Sequence, residues 1–149
     1  MPTKRSYAAA TVACAAGTLR RASRAVSRVY DGWLAATGVT TTQFSLLSAL
    51  ARHRAPVALT ALAEEQVLER TSLYRALNPL SREGLVRLIG QEGRRAKEVE
   101  LTASGRRKVA RALPRWQRAQ DQFLRHVGEA AWRRLSAQLA GIARSGRGG

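Results

Sequence analysis

The stretch from Leu59 to Thr102 limits what this chain can fold into more than any other segment. Leu59-Thr60 supplies an apolar residue followed by an N-cap for a short helix, Ala61 to Gln66. Leu62 is set inward there, and Ala63 is small enough for a close helix crossing. Val67-Leu68-Glu69 reads as a turn. A second helix follows from Arg70 to Leu80, in which Leu73, Leu77 and Leu80 recur at spacings of four and three and form a buried stripe. Pro79 has no N–H and is expected to bend this helix or loosen its last turns. Gly84 is placed as the C-cap. Leu85 to Ile89 is strand-like, Gly90-Gln91-Glu92-Gly93 turns, and Ala96 to Thr102 returns, with Val99 and Leu101 inward and Glu98 and Glu100 outward. Two helices across a tight turn, then two strands joined by an Arg-rich tip, is the order of a winged helix-turn-helix. The fold class expected is mainly α with a small β-hairpin wing, flanked by N- and C-terminal helices.

The polar residues of the second helix fit that module's chemistry. Arg70, Thr71, Ser72, Tyr74, Arg75 and Asn78 fall off the leucine stripe, most of them near the helix start. An Arg can donate two hydrogen bonds to guanine O6 and N7, and an Asn can pair with adenine in the same way. Thr and Ser can bind phosphates beside the free N–H groups of a helix N-terminus. Arg94 and Arg95, at or just past the hairpin tip, suit a narrow A·T-rich minor groove, where the negative potential is enhanced. Lys97 on the returning strand completes the DNA-binding set. The bland alternative is an ordinary solvated helix face and a solvated turn.

Charge supports the same partner. The chain has 149 residues, 26 Lys and Arg against 10 Asp and Glu, and a formal charge of +16. Such an excess repels itself and is relieved by an anionic partner, most commonly nucleic acid. Residues 1–30 carry six positive charges and no negative one, residues 31–69 are slightly acidic, and residues 70–102 and 103–149 are basic. No run of eighteen apolar residues is present, so neither a spanning helix nor a membrane partner is expected. The single cysteine, Cys14, has no partner for an intrachain disulfide, and the expected location is cytoplasmic.

The flanks read as amphipathic helices. Leu19, Ala22, Val26, Val29 and Trp33 fall on one face of a helix running to Leu34, with Asp31-Gly32 expected to loosen it and Thr37-Gly38 to stop it. Thr40-Thr41-Thr42-Gln43 offers an N-cap for a helix through Phe44, Leu46, Leu47 and Leu50, which ends near Arg54 before Pro56. Leu113, Trp116, Phe123, Val127, Leu135, Leu139 and Ile142 keep the same rhythm at the far end, where Gly128 divides one helix into two or bends it. The boundaries expected are an N-terminal extension and helix start over 1–17, an N-terminal dimerisation helix over 18–38, a DNA-binding domain over 39–104, C-terminal dimerisation helices over 105–143 and a disordered tail over 144–149. A module this small cannot cover both apolar stripes, so a twofold homodimer is expected, presenting two recognition helices to a pseudo-palindromic double-stranded operator.

Catalysis finds little support. His53 and His126 stand alone, without carboxylates or cysteines at ligand spacing, so no metal or other cofactor is expected. Glu64 and Glu65 are adjacent on a helix and diverge. No glycine-rich phosphate loop follows a strand. Tyr30, Trp33 and Phe44 are candidates to line a cleft for a small-molecule effector between the helical frame and the DNA module. They are equally suited to the core. Cys14 is a candidate redox residue, although a buried, inert thiol among alanines is the favoured reading.

The chain resembles the MarR (multiple antibiotic resistance regulator) family of bacterial transcription regulators. The resemblance runs from about Leu19 to the C-terminal helices and is carried by GVTTTQFSLLSAL, TALAEEQVLERTSLYRALNPLSREGLV and GRRAKEVELTASGRR in that order. It implies a triangular dimer built by the terminal helices, and a repressor released by a small ligand or by oxidation. It puts Thr71, Ser72, Tyr74 and Arg75 at recognition-helix positions and Arg94 and Arg95 in the wing. In the family's hydroperoxide-sensing branch a cysteine near the place of Cys14 is oxidised with tyrosines nearby, for which Tyr30 is the counterpart here. Two departures stand out: Val67 occupies a turn position where the family often has Gly, and Glu92-Gly93-Arg94 replaces an Asp-x-Arg wing opening. Two other readings remain open: an architectural, nucleoid-type DNA binder without base readout, and an RNA-binding or ribosome-associated protein.

Overall fold

The computed structural model describes residues 14–90 and 96–146. Among these residues, six α-helices and a three-stranded sheet follow in the order α1 (Ala15–Leu34), a 3-10 turn (Ala35–Thr37), α2 (Thr41–Ala51), β1 (Val57–Ala58), α3 (Leu59–Gln66), α4 (Arg70–Arg82), β2 (Val86–Ile89), β3 (Glu98–Leu101), α5 (Ala103–Val127) and α6 (Glu129–Ser145). Among the described residues, the helix-turn-helix and wing therefore sit between α1 and α2 before them and α5 and α6 after them.

Local chemistry sets most boundaries. Thr40 caps α2 through its hydroxyl, and the Gln43 side chain returns a bond to the Thr40 N–H, a reciprocal capping box. Asp31 does not loosen α1. Its Oδ1 accepts from both the N–H and the hydroxyl of Thr41, at 2.6 Å each, and so ties α1 to the start of α2. At the end of α4, Leu85 N–H bonds to Leu80 C=O and Gly84 N–H to Ser81 C=O, with Gly84 at φ +71°, a Schellman closure. Pro79 does not end α4, which runs three residues beyond it. Gly128 separates α5 from α6 as expected. The expected tail opens differently, since α6 continues as helix through Ser145.

Two expectations at the module's entrance are corrected. The short helix starts at Leu59, capped by Ala58, so Thr60 lies inside it and caps nothing. The hairpin is not alone: Val57 and Ala58 pair antiparallel with Val99 and Glu98, giving the sheet order β1-β3-β2. β2 and β3 pair in the register Val86 with Leu101 and Leu88 with Val99, which turns Val86, Val99 and Leu101 into the core.

One apolar core joins these parts. Leu34, Leu46, Leu47, Leu50, Leu59, Leu62, Leu73, Leu77, Leu80 and Val99 are fully buried, and the leucine stripe of α4 lies at its centre. Burying one such leucine contributes about 2 kcal/mol. Gly105, Ala112 and Ala119 are the buried residues of α5. Their small size lets α1, α2 and the sheet approach it closely. By contrast α6 buries no residue, and Leu19, Val29, Leu113, Leu135 and Ile142 expose apolar side chains along α1, α5 and α6.

Candidate nucleic-acid interface

With Leu73, Leu77 and Leu80 turned inward, α4 presents Arg70, Thr71, Ser72, Arg75 and Asn78 to solvent. No side chain caps its N-terminus, so its first N–H groups face outward without a side-chain acceptor. None of these five residues has an ion-pair or side-chain hydrogen-bond partner among the described residues, and their donors are available to a ligand.

Tyr74 takes a different place from the one expected of it. It is half-buried against the core, and its hydroxyl donates to the backbone carbonyl of Ala96. Its polar atom is therefore engaged within the protein and holds α4 against the wing. The base of the wing is fixed from two further sides: Lys97 N–H donates to Ile89 C=O at 2.9 Å, and Leu59 N–H donates to Lys97 C=O at 2.8 Å. The Lys97 side chain stays exposed beside them. Sequence patterning missed this latch, since a contact over 22 positions leaves no periodic trace. Arg94 and Arg95 lie outside the described residues.

The turn between α3 and α4 carries local strain. Val67 sits at φ +52°, ψ +47°, in the left-handed region that a β-branched residue adopts only at a cost. Leu68 N–H bonds to Ala63 C=O and Val67 N–H to Glu64 C=O, the same pair of closures that Gly84 and Leu85 make at the end of α4.

The aromatic residues proposed for an effector cleft pack between helices. Tyr30 and Phe44 are buried; both rings contact Trp116, the Phe44 ring stacked at 6.0 Å and the Tyr30 ring tilted at 6.4 Å. The Tyr30 hydroxyl donates to Gln120 Oε1, and burial raises its pKa above the ordinary tyrosine value. Trp33 Nε1 donates to Gln122 Oε1 at 2.6 Å. These bonds clamp α1 to α5. Cys14 is also corrected: it is exposed at the N-terminal end of α1, not buried. No group of three metal-ligating side chains occurs among the described residues, and no described helix is long and apolar enough to cross a membrane.

Most of the net charge lies outside the helix-turn-helix and wing, although α4 itself carries three Arg and no acid. Residues 39–104 hold nine Lys and Arg against seven Asp and Glu, while the rest of the chain holds seventeen against three. Within the module two Arg charges are already paired, Arg52 with Glu65 and Arg87 with Glu100. A nearly neutral module with a few unpaired donors on α4 suits selective contact more than diffuse attraction.

Comparison with known proteins agrees with the fold. A family model for the IclR helix-turn-helix domain matches residues 44–89. No curated protein gives a match. Among solved structures, the M. tuberculosis transcriptional regulator MosR is 33% identical, with 92% of this chain and 98% of that chain covered and a TM-score of 0.78. The same regulator in complex with DNA is 35% identical over 90% and 96% of the two chains, again at 0.78. The transcriptional repressor CouR, bound to p-coumaroyl-CoA, is 25% identical over 91% and 95%, with a TM-score of 0.77. A MarR-family regulator from Rhodococcus sp. RHA1, 20% identical over 86% and 92% with a TM-score of 0.73, shares the fold. The chain belongs to the MarR family of transcriptional regulators.

Proposed function

We propose that the chain is a homodimeric, sequence-specific repressor that reads a pseudo-palindromic operator and is released by a small ligand. The observation that carries this is the division of α4 into a leucine stripe locked in the core and a face of Arg, Thr, Ser and Asn donors without partners among the described residues. Arg75 and Asn78 are suited to base edges, Arg70, Thr71 and Ser72 to phosphates, and Lys97, with Arg94 and Arg95, to the adjoining groove. Tyr74 positions the wing instead of touching bases.

Dimerisation follows from the uncovered apolar side chains of α1, α5 and α6, which a second copy would bury. MosR has been captured with DNA, and CouR with p-coumaroyl-CoA, so regulators of this build accept both kinds of partner. Release by oxidation rests on exposed Cys14 alone, and the ligand route has the broader support.

A gel shift of the full chain on its own upstream DNA, against random DNA of equal length, tests the reading. Selective retardation by a dimer is expected. Equal retardation of both would favour an architectural binder, and loss of the shift on adding peroxide would restore the oxidant route.

A further inference from the structure

A shallow groove of about 300 Å³ lies between the 3-10 turn that ends α1 and the first half of α5. Ala36, Thr37, Lys108, Arg111 and Arg115 line it, so three cations and no acid surround one concavity. Spacings of three and four place the three basic side chains on one face of α5, where like charges repel. Arg111 and Arg115 make no hydrogen bond or ion pair among the described residues. Lys108 Nζ donates to Thr37 C=O at 2.9 Å, which leaves two of its three N–H donors unused. The site is far more cationic than the DNA-reading module.

We propose that this groove binds a small ligand bearing a diphosphate, held by Lys108, Arg111 and Arg115. Guanidinium groups match phosphate oxygens in paired, charge-assisted bonds, and three cations suit a multiply charged group better than a single carboxylate. No aromatic side chain lines the groove, so recognition falls on the charged headgroup. The volume is at the small end for ligand sites and fits a headgroup, not a nucleic-acid duplex. Lys108 already links the end of α1 to α5, and α5 continues directly from β3 through Thr102. An anion seated there draws on the junction between the helical frame and the reading module. Its role as the effector site rests on the regulator reading above; the binding itself does not.

Calorimetry of the full chain with sodium pyrophosphate and with ADP, at about 50 mM salt to limit screening, tests the site. Saturable binding at one site per chain is expected, weakened about tenfold or more in Arg111→Gln/Arg115→Gln. Removing the same charge at Arg20→Gln/Arg24→Gln on α1 is expected to leave binding unchanged. Absence of saturable binding, or an equal loss in both double variants, would overturn the site, the latter by showing diffuse charge. The groove variant is also expected to keep its affinity for operator DNA without ligand. A fall of about tenfold there would mean that DNA phosphates occupy the groove, and would overturn the proposal too. If the wild type binds operator and random DNA equally while pyrophosphate still binds, the regulator reading fails and the site stands.

Discussion

The hydroxyl of Tyr74 on α4 donates to the backbone carbonyl of Ala96 at the base of the wing. α4 and the hairpin are thereby joined across 22 positions of chain, in addition to their shared core. Tyr74→Phe keeps the ring packing and deletes the bond. It is expected to cost about 1 kcal/mol of stability, read by urea unfolding. Affinity for operator with A·T-rich flanks should fall more than affinity for a core site without them. An unchanged ratio between the two DNAs would show that the latch does not position the wing.

Val67 and Gly84 close two helices with the same pair of backbone bonds, yet only one of them is a glycine. Val67 is half-exposed, at 52%, and buries too little to repay its left-handed backbone. Val67→Gly is expected to stabilise by about 1 kcal/mol, roughly 3 °C in melting temperature for a chain of this size. The reciprocal Gly84→Ala should lose a similar amount. A Val67→Gly protein that melts lower would contradict the strain.

Gly105, in the first turn of α5, has no room for a side chain. A Cβ there would lie 2.1 Å from the Leu85 carbonyl oxygen and 2.5 Å from Leu101 Cδ1. The nearer neighbour is backbone and belongs to the segment joining α4 to the wing. Gly105→Ala is expected to destabilise by about 2 kcal/mol or more, measured by denaturant unfolding. A loss below the scatter of surface substitutions would mean that this junction is looser than described.

Tyr30 contributes an alkaline pH dependence to the stability of the fold. Burial holds its hydroxyl pKa above 10.0 in the folded chain, so the folded state keeps the proton that the unfolded chain loses. The resulting stability is fully present below pH 10 and is lost as pH rises through the folded-state value. Tyr30→Phe, which also removes the bond to Gln120, should unfold more easily at neutral pH, and its stability should fall less steeply above pH 10. Parallel alkaline curves for the two proteins would exclude Tyr30 as the group responsible.

Much of this architecture is legible in the sequence because it is local. The leucine spacing of α4, the Thr40–Gln43 capping box, Gly84 and the alternation at Val99 and Leu101 each need only a few neighbouring residues. What was hidden depends on distant partners. β1 is two residues long and exists only through pairing with Val99 and Glu98. The start of α3 moves to Leu59, whose N–H bonds to the Lys97 carbonyl instead of waiting for a cap at Thr60. Tyr74, Tyr30 and Phe44 have the composition of contact residues, but their roles were decided by what the tertiary fold brought opposite them. The free donors of α4 were readable because removing the leucine stripe leaves them on the outer face.

If the outer face of α4 reads bases, Arg75 is the side chain whose removal shows it. Binding of the wild type and Arg75→Ala should be measured by fluorescence anisotropy, at fixed salt, on the upstream operator and on random DNA of equal length. A loss of about 1–3 kcal/mol is expected on the operator, confined to one base-pair position in each half-site, with little change on random DNA. An equal loss on both DNAs would contradict base reading.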